Sequence, residues 1–428
     1  MKSLKATYLF LFLFGMIGLN LETQAQDAKV SAHYRINPLH SRGFRDPLNP
    51  GEKPGFYTMQ ISRLNLELSN KGDLSAGLSI QDRRFWGDES TRDDKATVTI
   101  YRAWVQKHFT EAFSVKLGRQ DLIYNDNYLM GERAWVGTLA HDVAKVIYEK
   151  NGFKAHLVAG VNTKGGELDR DLYLGINNYK NMQFLWLHKD FKKLSSSFIL
   201  QNLGFENADS SLTVYNMQNI GTHNELTISN SLSLTAFYYH QLGKNGKNQN
   251  VDAYYYSAQL TYTPIEPLSI TAATLVSSGD SQNDYEDPTN TRSRYHDKPF
   301  FNGHEHFGLM DYFFFKNNTY MGVNDYFFKV EYQVNPKLKI TNTTHEFFTN
   351  QVMNNELNQA MDKNLGIEND LLIAYKVSNG LKVTLGHSIM FGTDTFQQFT
   401  GGKTITESQY FYAVIVANPV FFQSKKDN

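Results

Sequence analysis

Apolar and polar residues alternate one by one along much of this chain. Leu64, Leu66 and Leu68 fall on one face of an extended segment, with Arg63, Asn65 and Glu67 on the other. Leu74, Ala76, Leu78 and Ile80 then oppose Ser75, Gly77, Ser79, Gln81 and Arg83. A period of two marks a β-strand with one greasy and one wet face. The cadence is clearest over residues 97–162. A run from Val98 to Phe109 turns at Thr110-Glu111-Ala112 and continues from Phe113 to Asn125. Ala134 to Lys150 follows, then an Asn151-Gly152 turn and Phe153 to Asn162. Runs of roughly 10–15 residues suit tilted strands that cross a bilayer, which need about 9–11.

Paired runs continue downstream. They flank Phe191-Lys192-Lys193, Ser229-Asn230-Ser231, Pro264-Ile265-Glu266-Pro267, Asn335-Pro336-Lys337 and Ser378-Asn379-Gly380, and the last runs from Gln409 to Phe422. One hairpin and one long loop per period of about 40 residues predicts an all-β, transmembrane, antiparallel up-and-down β-barrel. A propeller would need four strands in that period. Val30 to Ile36 is expected as a short first strand and Asn37 to Gly55, with Pro38, Pro47, Pro50 and Pro54, as a loop. Counting that first strand gives about 18 strands, or 16 without it, since single-chain bacterial barrels are even-numbered. Such a barrel holds a water-filled lumen unless a loop fills it. Gly279 to Thr319 is the largest excursion between strands.

Composition sharpens this reading. Tyr 25 and Phe 30 bring aromatics to 14%, while mean hydropathy is only -0.45. A helical membrane bundle is thereby excluded, but not a barrel, in which every second residue faces lipid. The excess aromatic rings are expected at the two membrane interfaces. At the amino terminus, Lys2 and Lys5, an apolar stretch from Ala6 to Leu21 and Thr23-Gln24-Ala25 read as an export signal. The expected organisation is therefore a signal peptide over residues 1–25 and an outer-membrane barrel over 26–428. Expected surroundings are outer-membrane lipid and lipopolysaccharide of a Gram-negative bacterium, with periplasmic export partners. Cys 0 excludes thiol catalysis, thiolate metal sites and disulfides. Lys+Arg 42 against Asp+Glu 43 excludes a nucleic-acid binder acting through bulk charge.

Any selectivity must then come from where the charges sit. Arg35, Arg63, Arg83, Arg84, Arg102, Arg119 and Arg133 fall on or beside the early strands. Alternation turns Arg63 and Arg83 inward, because charge on the lipid face costs about 2–4 kcal/mol at the midplane. Arg102 shares a face with Trp104, Gln106 and His108, opposite Tyr101, Ala103, Val105 and Phe109. The phase of Arg119 is open, since Val115 and Leu117 share its parity and Gly118 marks a candidate bulge. A cationic rail passing anions is one reading. Structural cross-links to Glu67, Asp82, Asp121 and Asp142 are the other. Arg63, Arg83, Arg102 and Arg119 are the candidate selectivity residues.

His304-Glu305-His306 offers two metal ligands without a third at a recognisable spacing, so it reads as a polar loop base rather than a metal site. No Gly-x-Ser-x-Gly elbow is present, and Gly165-Gly166 and Gly401-Gly402 precede no helix. Neither an enzyme nor a cofactor is expected.

Several tracts resemble the alginate export family of outer-membrane barrels: Tyr101-Arg102-Ala103-Trp104-Val105-Gln106, Gly118-Arg119-Gln120, Tyr124, Gly131 and Asp142-Val143-Ala144-Lys145. His306-Phe307-Gly308-Leu309-Met310-Asp311-Tyr312-Phe313 and Ala417-Asn418-Pro419-Val420-Phe421-Phe422 are similar to segments of its Bacteroidetes-type members. The resemblance implies an 18-stranded barrel whose arginine-lined lumen passes an anionic polyuronate, with Arg102 and Arg119 in that role. It also implies gating loops, with His306, Asp311 and Tyr312 as candidates. The near-neutral charge departs from the strongly basic pore of that family. A small anion and a general diffusion pore therefore stand beside the anionic saccharide, with a loop-based enzyme or adhesin as the reading from another class.

Overall fold

A computed structural model describes residues 27–70, 73–89, 98–132, 139–163, 178–207, 213–313, 317–402 and 407–424. The expected signal peptide, Arg133 and Gly165-Gly166 lie outside them. Among the described residues no helix is long and apolar enough to cross a membrane. One sheet of 20 strands contains nearly all the regular structure, two of them short: Arg292–Ser293 and Val420–Gln423. The remaining long strands form a wall of 18, β1 to β18. In order these are β1 Asp27–Arg42, β2 Gly55–Asn70, β3 Leu74–Phe85, β4 Thr99–His108, β5 Phe113–Gln120 and β6 His141–Lys150. Next come β7 Phe153–Val161, β8 Asn181–Asp190, β9 Leu194–Glu206, β10 Val214–Ser229, β11 Leu232–Lys244 and β12 Asn250–Ile265. The circuit finishes with β13 Leu268–Ser277, β14 Val323–Asn335, β15 Leu338–Thr349, β16 Asn364–Ser378, β17 Leu381–Gly392 and β18 Glu407–Ala417.

Each strand pairs antiparallel with the next, and β1 pairs with β18 from Tyr34↔Ala417 to Arg42↔Gln409. The barrel is closed, which removes the sheet edges that a bilayer would leave unbonded. Short turns and both described chain ends lie at one rim, where Ser424 N donates to Ala28 O at 2.9 Å. Long loops crowd the other.

The first strand is longer than its sequence suggests. It runs through Pro38, which was expected in a loop and instead sits opposite Thr58 of β2. The ladder to β18 skips Asn37 and Pro38, so the missing proline N–H falls where no bridge is made.

Outward positions of the early strands match the alternation read from sequence. Leu64, Leu78, Leu117 and Leu157 are 39–55% exposed, as leucines facing lipid would be. Exposed rings gather toward both rims: Phe109, Phe113 and Phe421 near the short turns, Phe56, Tyr326 and Phe391 near the long loops. Two such girdles are the signature of an outer-membrane-type barrel. The buried core lies inside the barrel, where inward side chains meet loops folded into the lumen.

Candidate functional site

The lumen wall built by β1 to β6 is cationic. Arg63 stands on β2 opposite His33 of β1 and Gln81 of β3. Arg102 of β4 pairs with Ser79, but the next bridge joins Ile80 to Ile100, so Tyr101 is an extra residue in a β-bulge. The bulge corrects the sequence reading of Tyr101. Strict alternation puts it on the lipid face, whereas it is 3% exposed and lies inside with Arg102. Its ring carries both guanidiniums, Arg63 at 3.7 Å from the centroid and Arg102 at 5.2 Å. Lys116 Nζ stands 3.6 Å over Trp104, whose ring lies flat across Gly77, where any side chain would collide with it. Lys145 stands over Tyr124 at 5.2 Å. Aromatic faces attract cations without neutralising them. Arg102 also bonds Asp121, yet its buried Nε has no partner among the described residues.

Arg83 lies on the same lumen face, opposite buried Ile61. Arg119 does not. It pairs with Ala103 on one side and Asp142 on the other, in phase with exposed Leu117, and its guanidinium donates to Asp142 at 2.8 Å. Arg119 therefore sits on the outer surface, which corrects its assignment as pore-lining. The placement is tolerable because both partners lie within two residues of the loop-end rim, where an outward charge costs only about 0–1 kcal/mol. Arg119→Ala is thus expected to leave ion preference in planar bilayers unchanged. Of the other proposed cross-links, Asp82 holds Arg84 at 2.8 Å, near the rim.

Sequence reasoning missed Lys116 and Lys145. Val115 and Leu117 already place Lys116 inward by parity, and the same two residues place Arg119 outward. It also missed the facing wall, where Lys329, Glu331, Lys339 and Lys382 line a cavity of about 530 Å³. Glu331 binds Lys339 and lies 3.6 Å from Lys329.

The cavity is roofed by the loop between β13 and β14, which folds into the lumen. Its turn at residues 307–311 is fixed from three sides. Leu309 N and Met310 N both donate to Glu368 Oε1 of β16, at 2.6 and 2.9 Å. Two successive amides converging on one oxygen form a small nest, here filled by the side chain of Glu368, and Leu309 N also reaches Asp370 Oδ2 at 3.3 Å. Asp311 accepts from Arg45 at 2.9 Å and lies 3.0 Å from His304 Nδ1. Tyr312 OH donates to Gly43 O. Phe307, Gly308 and Asp311 all have positive φ (59°, 76° and 58°), and a Cβ on Gly308 would strike Glu368. A bulky ring at positive φ is uncommon and is held only by surrounding structure. Gly308→Ala should cost about 1–2 kcal/mol in backbone strain alone, seen as faster proteolytic cleavage of this loop in the folded barrel.

His306, the remaining gating candidate, is bonded rather than free. Burial lowers its pKa to about 4, so the ring is neutral. Nε2 donates to Asp126 O at 3.0 Å, and Nδ1 accepts from Tyr255 OH at 3.1 Å. His304 and His306 thus serve different partners. Tyr128 stacks on Tyr255 at 3.4 Å, joining the 121–132 segment to the same layer. Desolvation pushes the Asp126 carboxyl up to about 7, against the opposing hydrogen bond from Tyr239. Its folded pKa exceeds the ordinary 3.8, so the stability it contributes is complete below about pH 4 and is lost as pH rises through about 7. Hydrogen exchange of residues 121–132, corrected for intrinsic rate, should show protection falling across that window, and Asp126→Asn should flatten the profile.

A second cavity, of about 410 Å³, lies on the other side of this layer and shares no lining residue with the first.

The architecture has known counterparts. The chain is similar to Pseudomonas aeruginosa OccK9 (OpdG), with a TM-score of 0.60, 11% identity and coverage of 94% of this chain and 100% of that one. It is also similar to Pseudomonas aeruginosa OpdO (TM-score 0.60, 12% identity, 93% and 98% covered). The structure of OpdK with vanillate, from the same organism, gives a TM-score of 0.60 at 11% identity, covering 92% and 99%. At such identities the likeness establishes the fold, an 18-stranded barrel. No family model and no curated protein matches the sequence.

Proposed function

We propose that the protein is a passive outer-membrane channel for anionic solutes. The supporting observation is the wall at Tyr101, Trp104 and Tyr124, where Arg63, Arg102, Lys116 and Lys145 lie over aromatic faces. Cations held this way keep a positive potential in the lumen. An anion moving along the wall passes from one cation to the next, of which Arg102 also holds Asp121.

Three considerations bear on the class of anion. Resemblance to the alginate export tracts favours a polyuronate, but Arg119 of those tracts faces outward and so lends the reading no support. The layer formed by residues 121–132 and 295–312 favours a small solute over a polymer. Likeness to OpdK, whose structure holds vanillate, adds a small aromatic carboxylate to the uronates. The purified barrel, reconstituted in planar bilayers, should give stepwise conductance with anions preferred over cations. Conductance without preference would support a general diffusion pore. Absence of conductance would support a loop-based enzyme or adhesin.

A further inference from the structure

The outer cavity is bounded by the 245–249 loop, by residues 280–297 and by Thr319 and Tyr320. Tyrosines shape it: Tyr285 and Tyr320 stack at 3.6 Å with their rings 1° apart, and Tyr295 adds a third ring to the wall. Internal bonds fix the polar lining. Gln241 Nε2 donates to Asp297 O at 2.9 Å, while its Oε1 accepts from Asp297 N at 2.9 Å. Asn245 donates to Gln249 at 3.0 Å, and Asp280 accepts from Ser293 and from Arg294 N. Three groups keep hydrogen-bonding capacity toward the cavity. They are the Asp297 carboxylate, the Tyr285 hydroxyl and the Lys247 ammonium, which stands 5.7 Å over the Tyr285 ring. Among the described residues none of the three bonds another side chain.

We propose that this cavity binds a neutral saccharide. Its volume falls within the range of about 300–1,000 Å³ typical of small-molecule sites. An inorganic anion would face the carboxylates of Asp280 and Asp297. A wholly apolar ligand would desolvate Asp297 and Lys247 without replacing their hydrogen bonds with water. A polyhydroxylated ring meets both conditions: its hydroxyls donate to Asp297 and accept from Lys247 and Tyr285, and its C–H face packs on a tyrosine ring. The site lies across the loop layer from the cationic wall, so binding here does not depend on conduction.

The test is calorimetric titration of the full-length protein in detergent with neutral hexoses, their disaccharides, glucuronate and inorganic phosphate. Saturable binding of at least one neutral saccharide is expected, weakened about tenfold or more by Tyr285→Ala and by Asp297→Ala, consistent with loss of an anchoring contact. Arg63→Ala, in the wall below, should leave it unchanged. Heat-modifiable migration on gels verifies that each variant is a folded barrel. The assignment is overturned if no neutral saccharide binds, if only glucuronate or phosphate binds, or if binding survives both cavity variants. Loss of binding on Arg63→Ala would likewise overturn it. Anion preference in bilayers is a separate readout, so failure of the channel reading and failure of this one are distinguishable.

Discussion

Glu368→Ala is expected to open the barrel. Glu368 is fully buried, and its Oε1 is the acceptor for both Leu309 N and Met310 N. Truncation strands Met310 N, at about 1–3 kcal/mol for an amide left unbonded in the interior, and leaves Leu309 N only its 3.3 Å bond to Asp370 Oδ2. Phe307 and Asp311 at positive φ then lose much of what holds them in that geometry. A shift of about 3 kcal/mol changes the ratio of displaced to seated loop by roughly a hundredfold. Single-channel recordings should show larger and noisier conductance steps than the parent protein. Glu368→Gln keeps an acceptor oxygen at the nest and should remain close to the parent. Equal conductance in all three proteins would mean that the 307–311 turn does not limit the passage.

The second large effect is on selectivity. Removing both guanidiniums at Tyr101, in Arg63→Ala/Arg102→Ala, takes away two charges each worth about 1 kcal/mol to an anion at ~4 Å in water. The anion-over-cation permeability ratio should fall by about tenfold or somewhat more. Asp121 loses its Arg102 partner in this variant, so adding Asp121→Asn separates lost attraction from new repulsion. The difference should shrink in 1 M salt, where the screening length is about 3 Å. A ratio unmoved at low salt would place selectivity elsewhere, with the Lys329, Lys339 and Lys382 wall the next to test.

How far the site was legible depended on whether local alternation decided it. Arg63, Arg83 and Arg102 could be placed from their neighbours, because Leu64, Leu66, Leu78, Ile80, Ala103 and Val105 set the lipid phase around them. Arg119 was misassigned although Val115 and Leu117 carried the right phase. Gly118 left the phase open by allowing for a bulge, and the nearness of the rim, which makes an outward charge cheap, has no local signal. Tyr101 could not be placed because one inserted residue in a β-bulge reverses alternation on one side of it. Pro38 misled in the opposite direction, since its tolerance within β1 depends on a gap in pairing with β18, hundreds of residues away.

By itself the sequence determined that this chain closes into a transmembrane barrel, because a period of two over membrane-length runs leaves few other ways to satisfy the backbone. It also determined that Arg63 of β2 and Arg83 of β3 face the interior, since that choice is made residue by residue against oil. Only the tertiary structure decided what fills the interior. Glu368, Arg45 and Tyr255 hold the 307–311 turn and its neighbour His306 from strands and loops remote in sequence. Contacts of that kind have no local period to read. They depend on which side chains closure of the wall brings face to face.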